Sequence, residues 1–387
     1  MSLERRNGEN EQQYLWRIGT MKDAGIVTET WPELANSINR ELGTNKNGDT
    51  WRKEYSVAKR YKENVFETEA QARSQINKIQ AAAKNIETNR WLREYARDEL
   101  ILEEIVKEIG KLEPLEIPET YTTNRGKRVA VLCFGDAHFG TEFTIYGLNN
   151  EVINKYNDQV FYARMWKLFD ETLKIVLDQQ IDDLYIFEMG DFADGILRVS
   201  QLSKLQYGVI ESTVKYAEFI STWLNKFTQW CRVHYQMTPG NHTELRLLGQ
   251  PKGTFKNENM DIVVRAFIKA RMEHNPNFDF KENKTGYIYE DVFGYKVLGI
   301  HGEVKDLSRA VKDFSHTYGV KINYLLVGHK HHGRSEEVGL NTEFIGVPSI
   351  IGVDSYAIDL NCISNPAATL LLIEDGKGKT VQYSIRL

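Results

Sequence analysis

The stretch RVAVLCFGDAH, Arg128 to His138, is an apolar, β-branched run that breaks at a glycine and leads straight into a carboxylate and an imidazole. The same grammar recurs four more times. DLYIFEM (183–189) runs into Gly190-Asp191-Phe192-Ala193-Asp194, and VHYQMTP runs into Gly240-Asn241-His242. YKVLGI ends at His301, and NYLLV at Gly328-His329-Lys330-His331. Runs this short and this apolar predict buried strands, and the helical stretches that join most of them predict an α/β domain. Open α/β sheets gather ligands in the crevice at the carboxyl ends of their strands, so five such ends converge on one place.

A single Asp or His after a strand is ordinarily a turn or cap residue. Here five of the nine histidines, His138, His242, His301, His329 and His331, fall at these ends, beside Asp136, Asp191 and Asn241. His234, His274 and His316 lack that context, and His332 is left out as pointing away from its neighbour. The set mixes imidazole, carboxylate and amide without thiolate. That chemistry suits Mn²⁺ first, with Fe or Zn²⁺ as alternatives, over Ca²⁺ or a thiolate-bound structural zinc. The ligands outnumber what one ion needs, which implies two divalent ions roughly 3.5–4 Å apart sharing a carboxylate.

The chain has 387 residues, three cysteines and a net charge of −5, so it is no polycation built to coat nucleic acid. Its polar start, its few cysteines and the lack of an apolar run of roughly 18–20 residues predict a cytoplasmic protein without a membrane partner. Residues 1–66 are read as a trihelical unit. Thr30 and Glu33 form a capping box, and Leu34, Ala35, Ile38 and Leu42 share a face that Gly43 closes. Trp51, Tyr55, Ala58 and Tyr61 are assigned to the inner face of the third helix, with Arg52, Lys53, Lys59, Arg60 and Lys62 outside it. Residues 67–120 read as a helical linker or stalk, in which Ile76, Ile79, Ala83 and Ile86 approach a coiled-coil seam suited to homo-oligomer formation. Residues 121–387 form the catalytic domain.

The ordered set D-x-H, GDxxD, GNH, H and GHxH resembles the calcineurin-like metallophosphoesterase superfamily, over residues 127 to about 335. The resemblance implies an α/β fold of two mixed sheets forming a β-sandwich flanked by helices, here preceded by an all-α region. It implies one metal held by Asp136, His138, Asp191 and His331, and a second held by Asp191, Asn241, His301 and His329. Two cations would lower the pKa of a shared water to give a hydroxide that attacks phosphorus, while His242 protonates the leaving alkoxide and Asp194 orients His242. Phosphoprotein phosphatases of the superfamily carry Arg where this chain has Gly195, and GNHE where it has GNHTE, which disfavours that activity. Arg198, Lys204 and Arg246 follow motifs closely enough to be candidate phosphate contacts.

The trihelical unit resembles helix-turn-helix or homeodomain-like modules, whose third helix would anchor DNA phosphates through Arg52, Lys53, Lys59, Arg60 and Lys62. In its catalytic part the chain resembles the exonuclease subunits of double-strand-break repair nucleases. Its layout, helices first, resembles phosphoesterases of phage and prophage genomes. The leading reading is therefore a two-metal DNA nuclease, exonuclease or endonuclease. The alternative is a phosphodiesterase or phosphatase for nucleotides or other small phosphoesters, with the helices used only for assembly. Pro348–Asp359 is read as a segment bordering the site.

Overall fold

The structure, a computed structural model, describes residues 3–63, 75, 76, 78, 103, 106, 107, 109–119, 126–195, 204–244, 259–302, 304, 306–359 and 363–387. Most of the expected stalk over 67–120, with Ile79, Ala83 and Ile86, lies outside the described residues, as do Arg198 and Arg246. The chain divides into two compact units, Met1–Asp98 and Glu99–Leu387.

The first unit holds α1 (Glu11–Asp23), α2 (Trp31–Leu42) and α3 (Gly48–Tyr61). Each begins at a polar cap. Asn10 and Gln13 bond reciprocally at α1, the Glu33 carboxylate accepts from the Thr30 N–H at 2.7 Å, and Asn47 accepts from the Thr50 N–H. Gly43 ends α2 in the left-handed conformation, φ 66°, which costs a residue without Cβ little. Tyr14, Ile18, Leu34, Ile38, Trp51 and Tyr55 form the core. Two residues of the expected inner face are corrected: Ala58 and Tyr61 are exposed. The core of this small bundle covers α3 through Trp51 and Tyr55, and the apolar repeat runs on beyond it.

The second unit contains two sheets. The first has six strands in the order β13-β12-β1-β4-β5-β6, and the second has five in the order β10-β11-β9-β8-β7. β1 (Arg128–Phe134), β4 (Asp183–Glu188), β5 (Arg232–Met237) and β6 (Phe278–Phe280) run parallel. The hairpin of β12 (Ala367–Glu374) and β13 (Gly378–Arg386) adds to β1 antiparallel. In the second sheet β8 (Tyr295–Ile300), β9 (Tyr324–Val327) and β11 (Thr342–Gly346) are parallel, with β7 (Ile288–Val292) and β10 (Arg334–Gly339) antiparallel at the edges. A separate hairpin, β2 (Phe143–Tyr146) with β3 (Val152–Tyr156), follows the first motif.

The period-2 alternation of the strands builds the layers. Val129, Val131 and Cys133 of β1 face the second sheet and meet Val297, Leu326 and Ile345 there. Ala130, Leu132 and Phe134 face the other way, into the core shared with α4 (Asp158–Asp178), α5 (Val209–Phe227) and α6 (Asp261–Met272). On the far side of the second sheet Leu298, Ile300, Leu325 and Val327 pack against Ala310 and Val311 of α7 (Leu307–Tyr318). The result is the expected four-layer sandwich, helix–sheet–sheet–helix. Among the described residues no helix is long and apolar enough to cross a membrane.

A Cβ on Gly19 would stand 2.2 Å from the Tyr55 ring, so α1 and α3 meet closely only because position 19 is bare. Gly19→Ala is expected to destabilise the first unit by about 1–3 kcal/mol through overpacking. In a Tyr55→Ala background the same change should cost much less, and denaturant unfolding of the four chains followed by tryptophan fluorescence measures that coupling.

Candidate metal centre

In the parallel part of the first sheet Phe134 lies beside Glu188, and Glu188 beside Met237, so the loops after β1, β4 and β5 leave the same edge. In the second sheet Ile300 lies beside Val327, which puts the loops after β8 and β9 together. The three loops and the two meet. His301 Nε2 is 2.9 Å from Asp191 Oδ2, and the His329 N–H donates to Asp136 Oδ2 at 2.9 Å.

The turns that carry these side chains are held in a rarely populated conformation. Of the nine non-glycine residues with positive φ among the described residues, five are Asp136, His138, Asp191, His329 and His331. Each such residue costs on the order of 1–3 kcal/mol, and such strain persists only where the surroundings over-determine it. Glycines make the approach possible. A Cβ on Gly240 would lie 2.1 Å from Asp191 Oδ1, and one on Gly190 would lie 2.8 Å from His301 Nδ1.

Three sets of side chains close to within 4.8 Å, ligand atom to ligand atom. They are Asp136–His138–His331, His138–Asp191–His242 and Asp191–His301–His329. Asn241 joins the last, its Oδ1 standing 3.0 Å from His301 Nε2. All seven expected ligands are therefore gathered, with Asp191 between two sets. Most of this cluster is buried, Asp136 and Asp191 almost completely.

The donor set fits divalent cations. His301 Nδ1 lies 2.8 Å from the Met189 carbonyl, which can only accept, so Nδ1 carries the proton. In the neutral ring Nε2 is then a lone pair, and it faces Asp191 Oδ2, Asn241 Oδ1 and, at 3.1 Å, His329 Nδ1. His138 and His331 likewise bring their Nε2 atoms to 3.3 Å. Asp136 Oδ1 is buried without a hydrogen-bond partner, and His331 Nε2 stands 3.5 Å away. Acceptors converging in this way need positive charge among them. The titration directions agree. Burial works against the charged form of His301, but the Asp191 and Asp136 carboxylates outweigh it and raise this group to about 9. Burial and the neighbouring His301 together push His329 down to about 4. Burial opposes ionisation of Asp136 and Asp191 too, and the surrounding imidazoles reverse that, holding both below the ordinary carboxylate range.

His242 is placed differently. Its Nδ1 lies 2.5 Å from Asp194 Oδ1, its backbone N–H donates to Asp191 Oδ1, and its Nε2 stays 4.0 Å from Asp191 Oδ2. Its side chain is 24% exposed against 5% for His138 and 6% for His301, so it stands at the mouth of the cluster. Asp194 also reaches His138 Nδ1 at 3.6 Å, a second contact that the sequence reading did not assign to it. A Cβ on Gly195 would lie 1.8 Å from the His242 carbonyl oxygen, so this loop has no room for any side chain at the position where phosphoprotein phosphatases carry Arg. Lys204 donates to the Ser355 hydroxyl at 2.8 Å.

In the first unit the candidate DNA contacts are partly neutralised. Arg52 pairs with Asp49 at 2.9 Å, Lys53 lies 3.9 Å from the same carboxylate, and Lys59 pairs with Asp23 at 2.7 Å. Lys62 lies over the Trp16 ring at 5.1 Å. Both acids, Asp23 and Asp49, lie outside the stretch that holds these five basic residues.

Fold and site together give a sandwich whose strand-end loops gather a buried histidine–carboxylate cluster able to hold divalent metal. A family model described as the YonJ N-terminal domain matches residues 1–70. The chain is 30% identical over 406 aligned positions to the SPbeta prophage-derived uncharacterized protein YonJ of Bacillus subtilis (strain 168), covering 99% of this chain and 98% of that one. It belongs to the YonJ family. Solved structures with distant likeness include Vacuolar Protein Sorting 29 from Cryptosporidium parvum, 13% identical, with TM-score 0.32 over 67% of this chain and 99% of that one. Wild-type Vps29 of Entamoeba histolytica complexed with Zn²⁺ is 14% identical, with TM-score 0.29 over 66% of this chain and 99% of that one. A predicted phosphoesterase from Streptococcus pneumoniae TIGR4 is 11% identical, with TM-score 0.28 over 66% of this chain and 98% of that one.

A cluster that needs cations should be stabilised by them. Adding Mn²⁺ at about 100 times its dissociation constant to metal-free protein is expected to stabilise the second unit by about 2.7 kcal/mol per site, read as a rise in melting temperature. Asp191→Asn should abolish most of that rise, because Asp191 is shared by two of the three sets.

Proposed function

We propose that the chain hydrolyses phosphodiesters with two divalent ions, Asp136, His138, Asp191 and His331 holding one and Asp191, Asn241, His301 and His329 the other. The observation that carries this reading is the burial of Asp191 between converging imidazoles. When bound, such a pair of ions activates water and neutralises charge on the phosphoryl oxygens. The remaining steps belong to the chain. His242, partly exposed at the mouth of the cluster, donates a proton to the leaving alkoxide. Burial opposes its charged form, yet Asp191 and Asp194 raise it to about 9, so it keeps its proton through neutral pH. Asp194 engages Nδ1, leaving Nε2, 4.0 Å from Asp191 Oδ2, as the end of the ring that meets the substrate at the cluster.

The substrate we assign is DNA. Support comes from the exposed basic positions of α3 and from the prophage origin printed for the YonJ relative. The ion pairs of Arg52, Lys53 and Lys59 with Asp49 and Asp23 join exposed groups, and exposed pairs are weak enough to open for a phosphate. Gly195 speaks against phosphoproteins, since the Arg that grips their phosphate cannot be accommodated in this loop.

Incubation with Mn²⁺ and labelled linear DNA, beside bis-p-nitrophenyl phosphate and cyclic nucleotides, tests the assignment. Cleavage of DNA is expected. Turnover of the small esters with DNA untouched moves the function to small phosphoesters, with the helices serving assembly. Replacing Lys53 and Arg60 by Glu should weaken DNA binding most at low salt and leave turnover of the small ester unchanged.

His242→Ala should lower kcat by about 10²–10⁴-fold with metal content retained. Because the acid must be protonated, kcat/KM should fall as pH rises through the His242 pKa. In Asp194→Asn that alkaline fall should begin at lower pH, since one of the two carboxylates that favour the imidazolium is gone. An unmoved pH–rate profile contradicts the assigned roles.

A further inference from the structure

Asp136 and His138 sit in left-handed turns, at φ 49° and 45°, and something must hold them there. On one side their N–H groups donate to the Gly190 and Asp191 carbonyls. On the other, the segment after β11 lies along the turn. The Ile350 N–H donates to the Gly135 carbonyl at 3.1 Å, and the Ile351 N–H to the Asp136 carbonyl at 3.2 Å.

That segment is itself gripped from behind. Arg164 of α4 donates through Nη1 to the carbonyls of Ile350 and Ile351, both at 2.8 Å, and through Nη2 to Asn154 Oδ1 at 2.7 Å. The Asn154 amide, buried on β3, donates to the carbonyls of Ile351 and Val353. The Arg164 guanidinium also lies over the Tyr156 ring, 5.3 Å from its centre. Tyr156 is fully buried, and its hydroxyl donates to the Ala137 carbonyl, between the two ligands. Every carbonyl from Gly135 to Ala137 is thus engaged, and the bonds trace back to three side chains outside the five motifs.

We propose that Arg164, Asn154 and Tyr156 are positioning residues that clamp the 350–353 segment and the Gly135–His138 turn in their metal-receiving form. The inference rests on the two-cation reading of the site. A planar guanidinium suits the task because its fork serves two adjacent carbonyls and an amide oxygen at once, which an ammonium group does not match.

The test is calorimetric titration of Mn²⁺ into the metal-free full-length chain, with hydrogen exchange at the Ile350 and Ile351 amides followed in parallel. Arg164→Gln and Tyr156→Phe are expected to weaken Mn²⁺ binding by about 10–100-fold with all seven ligands intact, and to speed exchange of both amides. Arg164→Lys should fall between Arg164→Gln and the unaltered chain. Should Arg164→Gln fail to fold, Tyr156→Phe, the loss of one hydroxyl, still decides. Mn²⁺ affinity unchanged within about twofold in the folded variants, even with a lower melting temperature, overturns the proposal and leaves these residues a purely architectural role. An unaltered chain that binds no divalent ion overturns both readings. One that binds Mn²⁺ but cleaves no phosphoester overturns only the hydrolase reading, and the affinities still judge the clamp.

Discussion

Asp191 is the atom-level junction of the second unit. Its Oδ1 accepts the His242 N–H, its Oδ2 faces His301, and its backbone carbonyl accepts the His138 N–H. Through one residue the loops after β1, β4, β5 and β8 are tied together, three from one sheet and one from the other. Its left-handed backbone and the bare positions at Gly190 and Gly240 follow from that crowding. The two sheets therefore meet at this end through a buried carboxylate rather than through apolar packing alone.

A carboxylate buried so completely is costly unless positive charge compensates it. The chain meets that demand with imidazoles, which accept a proton or a metal ion with the same lone pairs. This explains why the cluster is histidine-rich and why His301 and His329 are pushed in opposite directions, one raised by carboxylates and one lowered by burial and then by its charged neighbour. It also separates His242 from the others. Its partner is Asp194, and its side chain is more exposed than those of His138, His301 and His331.

The first unit follows a different logic. Its stability comes from capped helices around Trp51, Tyr14 and Ile38, and the basic residues of its third helix have acids within reach, so its field is weaker than five basic side chains alone would give. A net charge of −5 fits this restraint.

The sequence by itself named the side chains that the structure gathers into one cluster, because strand ends and motif spacing are local properties. An apolar run that stops at Gly-Asp or Gly-His announces its own turn, and the capping box at Thr30 and the Gly43 stop are equally local. It overreached at Ala58 and Tyr61, where helical periodicity continued past the core that could bury it. Only the tertiary structure decided that Asp194 serves two imidazoles, that Gly195 abuts the His242 carbonyl, and that Asn154, Tyr156 and Arg164 support the first turn. None of these has a motif. Asn154 and Ile351 are far apart in the chain, and their contact exists only because the tertiary fold lays β3 beside the segment after β11, whose free carbonyls require donors.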